Sequence, residues 1–186
     1  IVNENGGTAI LTTKNHASGS DRVYEVYLKK LKNKVDLIIN LQGDMPNIKP
    51  DTIFKLEKLM RSNSCDIGTL ASCITNKQEI IDPNIVKVHM TESLNDRNFL
   101  DPKDFFRTKA DITDQKIYHH IGIYAFTNIA LTKYVKLSRS KLEIKRKLEQ
   151  MRAIENNIKI MVGLSDSSPL SVDTKEDLKK VAEEMN

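Results

Sequence analysis

Two acidic positions in this 186-residue chain could hold a metal ion. The first is Asp44, in the run Gln42-Gly43-Asp44-Met45-Pro46. It directly follows the nearly continuous apolar stretch Val35–Leu41, so Gly43 lets the backbone turn and the carboxylate projects from a strand end. A carboxylate there suits Mg²⁺, which takes oxygen ligands and bridges to substrate phosphates. The same group could instead cap the turn by accepting nearby N–H bonds. The second position is Asp173, in Ser171-Val172-Asp173-Thr174, just ahead of a closing helix with Glu176 and Asp177 in its first turn. Taken singly, that pattern reads as ordinary helix capping.

Between them lie Tyr118-His119-His120-Ile121-Gly122-Ile123-Tyr124. Strand alternation places His120 and Gly122 on one face and His119, Ile121 and Ile123 on the other. Neighbouring histidines on a strand point apart and cannot chelate one ion, so a hydrogen-bonding role for one of them is favoured over zinc. A helix predicted over Leu142–Glu155 brings Arg146, Glu149, Gln150 and Ala153 to one side at i, i+3, i+4 and i+7 spacing. That side is either a solvated, salt-bridged face or a polar pocket wall.

The elements that must position these groups alternate. A helix end stopped by Gly6-Gly7 comes first, then a short strand over Thr8–Thr12. A helix follows from Ser20 to Leu31, with Ser20 as its N-cap. Strands are predicted at Val35–Leu41, Asp66–Ile74, Ile85–Met90, Lys116–Phe126 and Ile158–Leu164. Helices are predicted at Asp51–Met60, Leu142–Glu155 and Thr174–Met185, the last capped at Thr174. The apolar run at Val35–Leu41 reads as a strand covered on both faces. Such alternation with short links predicts a single domain spanning 1–186, a three-layer α/β/α sandwich with a mostly parallel sheet. In such sheets ligands bind beyond the carboxyl ends of the strands, which is where Asp44 falls.

Composition excludes several other classes. Cys65 and Cys73 lack metal or redox spacing and are expected as buried, reduced thiols. No apolar run approaches the ~20 residues of a membrane span and no signal peptide is visible, so a cytoplasmic location is expected. The net charge of +4 comes from lysines interleaved with acids, and with no Trp there is little to stack on bases, so nucleic acid is not an expected partner.

Read in order, the segments resemble the 3-deoxy-manno-octulosonate cytidylyltransferase (CMP-KDO synthetase) family. They are His16–Arg22 (HASGSDR), Gln42–Pro46 (QGDMP), Pro83–Val88 (PNIVKV), Phe106-Arg107, His119–Tyr124 (HHIGIY), Leu142–Arg152 (LEIKRKLEQMR) and Val172–Leu178 (VDTKEDL). The resemblance implies a nucleotide-diphospho-sugar-transferase-like fold. It also implies attack of the sugar acid's anomeric hydroxyl on the α-phosphorus of CTP, with loss of pyrophosphate. By that similarity Asp44 and Asp173 are Mg²⁺ ligands, and Gln42, His120, Tyr124, Glu149 and Gln150 line the sugar pocket. Arg107 matches a basic residue aimed at anionic substrates, and Ser18, Gly19 and Arg22 match the nucleotide loop. Two carboxylates on one ion must each bring an oxygen within ~2.1 Å of it. Both should then open onto one cleft, with His120 and Glu149 on its wall. A homodimer joined through Arg107–Tyr118 is also expected.

The chain departs from the family in places. Met45 stands where the family has Glu, the stretch before HHIGIY is short, and the family's basic N-terminal nucleotide-binding loop has no counterpart, so the domain is expected to be N-terminally incomplete. Two alternatives follow: a sister cytidylyltransferase for another acidic sugar such as a sialic acid, or an inactive remnant of the fold. LEQxR together with VDTxEDL favours the octulosonate enzyme over its sister.

Overall fold

The computed structural model describes residues 1–108, 116–172 and 174–185. Among the described residues seven strands form one sheet: β1 (Leu37–Asn40), β2 (Ile67–Cys73), β3 (Lys87–Met90), β4 (Phe99–Leu100), β5 (Pro102–Phe106), β6 (Ile117–Thr127) and β7 (Ile160–Ser165). The helices are α1 (Gly19–Val26), α2 (Pro50–Ser62), α3 (Gln78–Ile81), α4 (Asn128–Tyr134), α5 (Lys141–Arg146), α6 (Gln150–Glu155) and α7 (Lys175–Glu184).

The strand order is β4-β7-β2-β6-β3-β5, with β1 paired to β6. Opposite faces of the sheet carry separate apolar clusters. On one, Ile121, Ile123 and Ala125 of β6 pack with Leu56, Leu59 and Met60 of α2. On the other, Tyr118 and Phe126 of β6 pack with Tyr27, with Ala130, Leu131 and Tyr134 of α4, and with Met151 and Ala153 of α6. Odd and even residues of β6 thus face different helical layers, which is the expected three-layer α/β arrangement. Close contact on the α2 side depends on two glycines. Any side chain at Gly68 or Gly163 would overlap Met60 or Leu59.

The pairing is not mostly parallel. Among the described residues only β2 and β7 run parallel; β6 is antiparallel to β1, β2 and β3, and β3–β5 and β4–β7 are antiparallel too. The reason is that β6 returns beside β2 without a crossover helix, and an apolar strand pattern does not encode direction.

Local expectations fared unevenly. Gly6 does stop the opening helical turn, at φ 79, in the left-handed region that glycine enters at little cost. Thr8–Thr12 forms no strand; it is mostly exposed and pairs with nothing regular. The α1 N-cap is Ser18 rather than Ser20, its hydroxyl accepting from Asp21 N–H. β1 pairs with β6 and is covered on both faces as expected, with Ile38 buried in one apolar cluster and the half-buried Leu37 and Ile39 packed against the other. The Leu142–Glu155 helix is two helices, because Lys147 adopts a left-handed φ of 54. Both cysteines are free, but Cys73 is exposed and only Cys65 is partly buried. Burial pushes the Cys65 thiol up to about 11.

Candidate active site

β1 and β3 lie end to end along one edge of β6. Asn40 pairs with Tyr124, Lys87 pairs with His119, and His120 N–H donates to the Val86 carbonyl at 2.9 Å. Between them Ile121–Ile123 faces the loop after β1. The nearest side chains to the bare Cα of Gly122 belong to Met45 and Gln42. Met45 is buried and packs with Leu56, Leu70 and Ile123. It is therefore a core residue that seats the loop, which accounts for an apolar side chain at this position.

Seating Met45 leaves Asp44 exposed. Its carbonyl accepts from Val172 N–H at 2.8 Å, and its carboxylate accepts from Ser171 Oγ at 3.2 Å, across 127 residues of sequence. The segment leading to the second predicted ligand is thus bound to the first. Asp173 itself lies outside the described residues. Among the described residues there is no group of three His, Cys, Asp or Glu that could hold a metal ion. That is compatible with Mg²⁺, which needs one or two carboxylates and otherwise binds waters and substrate phosphates. The donor set around Asp44, carboxylate and hydroxyl oxygens, is of the hard type that the ion prefers.

On β6 the two histidines diverge, as alternation requires. His119 Nδ1 lies 2.9 Å from Glu79 Oε2. His120 is buried between the rings of Phe105 and Tyr124, with centroids at 5.1 and 5.5 Å. Burial, helped by the field of His119, pulls its pKa down to about 3. A register shift between Thr69 and Leu70 leaves Gly122 and Ile123 of β6 without partners on β2. Thr69 Oγ lies 2.7 Å from the Ile123 carbonyl, 3.1 Å from that of Ile121 and 2.9 Å from His120 Nε2. A hydroxyl has one proton; given to the Ile123 carbonyl, it leaves the lone pairs to receive His120 Nε2–H. His120 is then a neutral imidazole with Nδ1 as its acceptor. Burial likewise raises the Tyr124 phenol well above its usual range, so it stays protonated.

The remaining wall joins α1 to α6. Glu149 Oε1 accepts from Gly19 N–H at 3.1 Å and Oε2 from Ser20 Oγ at 2.8 Å. Glu149 and the buried Gln150 share a small cavity of ≈ 10 Å³ with Ser20, Tyr124 and Tyr134. Gly19, Ser20, Tyr124, Glu149 and Gln150 are therefore neighbours. The arginines singled out in the sequence each bond to protein groups. Because the helix breaks at Lys147, Arg146 leaves the Glu149 side and bonds Asp104 and the Phe105 carbonyl. Arg107 donates to the carbonyls of Pro83 and Asn84 at 3.2 and 2.8 Å, bracing the loop into β3. Arg22 is exposed and bonds Thr12 and the Thr13 carbonyl. Thr69, Tyr134, Glu143 and Arg152 support the site without having been singled out in the sequence, whereas Ser20 was expected only as a helix cap. Arg152 stood within the quoted LEQMR motif; Thr69 carried no signal.

A family model described as cytidylyltransferase matches residues 1–160. The 3-deoxy-manno-octulosonate cytidylyltransferase of Bartonella tribocorum is 42% identical over 181 residues, covering 97% of this chain and 74% of its own. That of Rhodopseudomonas palustris is 42% identical over 180 residues, covering 96% and 72%. A solved CMP:2-keto-3-deoxy-manno-octonic acid synthetase complexed with CTP superposes with a TM-score of 0.84 at 34% identity, over 99% of this chain and 74% of that one. The 4-diphosphocytidyl-2C-methyl-D-erythritol synthase of Anaerococcus prevotii, at 15% identity and TM-score 0.55, shares the fold alone. Motifs and a likeness over nearly all of this chain agree: the chain belongs to the 3-deoxy-manno-octulosonate cytidylyltransferase family.

Proposed function

We propose that this chain transfers CMP from CTP to the anomeric hydroxyl of 3-deoxy-D-manno-octulosonate, releasing pyrophosphate and activating the sugar for lipopolysaccharide synthesis. One observation carries the reading. The Gln42–Asp44 loop, the His120–Tyr124 stretch and the Glu149–Gln150 turn converge around β6, in a chain 42% identical to enzymes named for this reaction.

Displacement at phosphorus asks for charge neutralisation and in-line positioning, not a covalent enzyme intermediate. Asp44, with Asp173, would hold Mg²⁺, which when bound neutralises phosphate charge and polarises the reacting oxygens. Ser171 steadies Asp44 through its hydroxyl. Held neutral, His120 accepts a hydrogen bond from a sugar hydroxyl at Nδ1 without adding charge. Tyr124 and Gln42 complete that wall, while Glu149 and Gln150 offer acceptors and an amide to the remaining hydroxyls. Ser18, Gly19 and Arg22 are assigned to the nucleotide, with Arg107 toward the anionic groups, where a guanidinium fork fits phosphate or carboxylate.

The protein is proposed to act in the cytoplasm and as a homodimer. Among the described residues no helix is long and apolar enough to cross a membrane. Light scattering tests the dimer: a monomer at micromolar concentration counts against it. The function is tested by pyrophosphate release, expected only with CTP, Mg²⁺ and the octulosonate together. Equal turnover with sialic acid would transfer the assignment to the sister enzyme.

A further inference from the structure

Behind the sugar wall lies a buried charged cluster that touches no proposed substrate group. Arg152 and Glu143 are only 2% and 1% exposed. They meet in a two-pronged pair, Nε to Oε2 at 2.8 Å and Nη2 to Oε1 at 2.7 Å. Glu143 also accepts from Arg139 Nε at 3.0 Å and from Ser140 N–H at 3.1 Å. Burial works to raise its pKa, but these donors prevail and hold it below the ordinary range. The Arg152 guanidinium carbon sits 4.7 Å from the centroid of the Tyr134 ring. Tyr134, itself buried, donates its hydroxyl to the Glu149 carbonyl at 2.9 Å. The second donor to that carbonyl is the Arg152 backbone N–H, at 3.0 Å.

The Glu149 carbonyl is thus held by one side chain of the cluster, Tyr134, and by the backbone of its own helical turn. A buried ion pair rarely adds stability over apolar residues of equal volume, so its geometry is the informative part. α6 is only six residues long and Glu149 does not cap it with its side chain. The Glu149 side chain reaches across to Gly19 and Ser20 instead. The direction of that side chain, and of Gln150 next to it, is set by where the Glu149 peptide is pinned.

We infer that Arg152, clamped by Glu143 and stacked on Tyr134, is a positioning residue. Through Tyr134 it fixes the Glu149–Gln150 turn so that both side chains meet the acidic sugar. The inference rests on the sugar-pocket assignment above. It predicts specificity for the sugar, not the nucleotide, as the property most sensitive to this cluster.

The experiment compares Tyr134→Phe, which keeps the ring stack but removes the hydroxyl, with the double variant Glu143→Gln/Arg152→Met, which removes both charges and leaves neither unpaired. Arg152→Lys keeps the charge and loses the fork. In each, KM for the sugar acid should rise roughly tenfold, while KM for CTP changes far less and Tyr134→Phe keeps its melting temperature. Lys should not rescue, because an ammonium cannot hold two carboxylate oxygens and a ring at once. Unchanged sugar KM in folded Tyr134→Phe and in the double variant would overturn the inference, as would equal changes in both KM values. The measurement is read on whichever sugar acid the wild type turns over. The choice of sugar and the positioning role can therefore fail separately.

Discussion

The Asp44 loop and the α5–α6 corner both supply carboxylates to the site region, yet they are built oppositely. Asp44 is exposed, and among the described residues its side chain takes one hydrogen bond, from Ser171. Glu143 is almost wholly buried and takes bonds from two arginines and a backbone N–H. The loop is anchored by an apolar neighbour, Met45, and leaves its charge open to a ligand. The corner uses its charge internally and delivers geometry. A site that must accept Mg²⁺ and phosphates needs the first design, and a site that must discriminate hydroxyls on a sugar ring needs the second.

If that contrast is right, substitutions should separate activity from stability. The largest effect is expected at Asp44→Asn, which keeps shape and loses charge. kcat should fall by about 10²–10³-fold, with folding stability within about 0.5 kcal/mol of wild type, since the carboxylate is exposed. Denaturant melts beside initial rates check both. A large loss of stability would mean that Asp44 is a turn cap and not an open ligand. At the corner the signs reverse. Glu143→Ala strands the Arg152 guanidinium in the interior and should cost about 3 kcal/mol of stability. Replacing both partners together should recover most of it.

A smaller effect separates the two histidines of β6. His120 has a folded pKa of about 3, well below the ~6.5 of an unfolded chain. Its stabilising contribution is complete above pH ~6.5 and is lost as pH falls toward 3, because the unfolded state binds the proton first. His120→Gln should therefore flatten the acid side of the stability curve between those limits. A curve of unchanged steepness would mean that His120 is not buried in its neutral form. His119 is partly exposed and pairs with Glu79 instead.

How far these regions could be read from the sequence follows the same division. Local, periodic features were legible: α2 with its buried Thr52, Leu56, Leu59 and Met60, β7, the Thr174 cap with its Asp177 partner, and the opposition of His119 and His120. Features decided by distant partners were not. Strand direction in the sheet depends on which neighbour β6 meets, not on its own residues. The break at Lys147 carries no Gly or Pro. It coincides with the Glu143–Arg152 clamp that holds α5 against α6, a contact nine residues apart with no local signature. Of the site, Asp44 and Glu149 were legible through motif likeness, whereas Thr69 and Tyr134 are polar partners of groups whose neighbours only folding supplies.

The smallest expected effect sharpens the reading of the loop. Met45 is 7% exposed and lies in the cluster formed by α2 and the odd-numbered residues of β6. If its task is to seat the loop by filling space, Met45→Leu conserves volume and should cost less than about 1.5 kcal/mol, because isosteric apolar exchanges are tolerated in packed cores. The Asp44 carbonyl would stay bonded to Val172, and kcat and both KM values should remain near wild type. Met45→Glu, which places a carboxylate there, is the informative partner. With the loop seated as it is here, the new carboxylate must either enter an apolar cluster with its charge uncompensated or lift the loop from β6. The first lowers stability and raises the carboxyl pKa; the second frees Asp44 and lowers kcat. Thermal melts with steady-state rates on both variants decide the matter. A Met45→Glu protein as stable and as active as wild type would mean that this side chain can turn outward, and that the loop is held by the Asp44–Val172 bond instead of by packing.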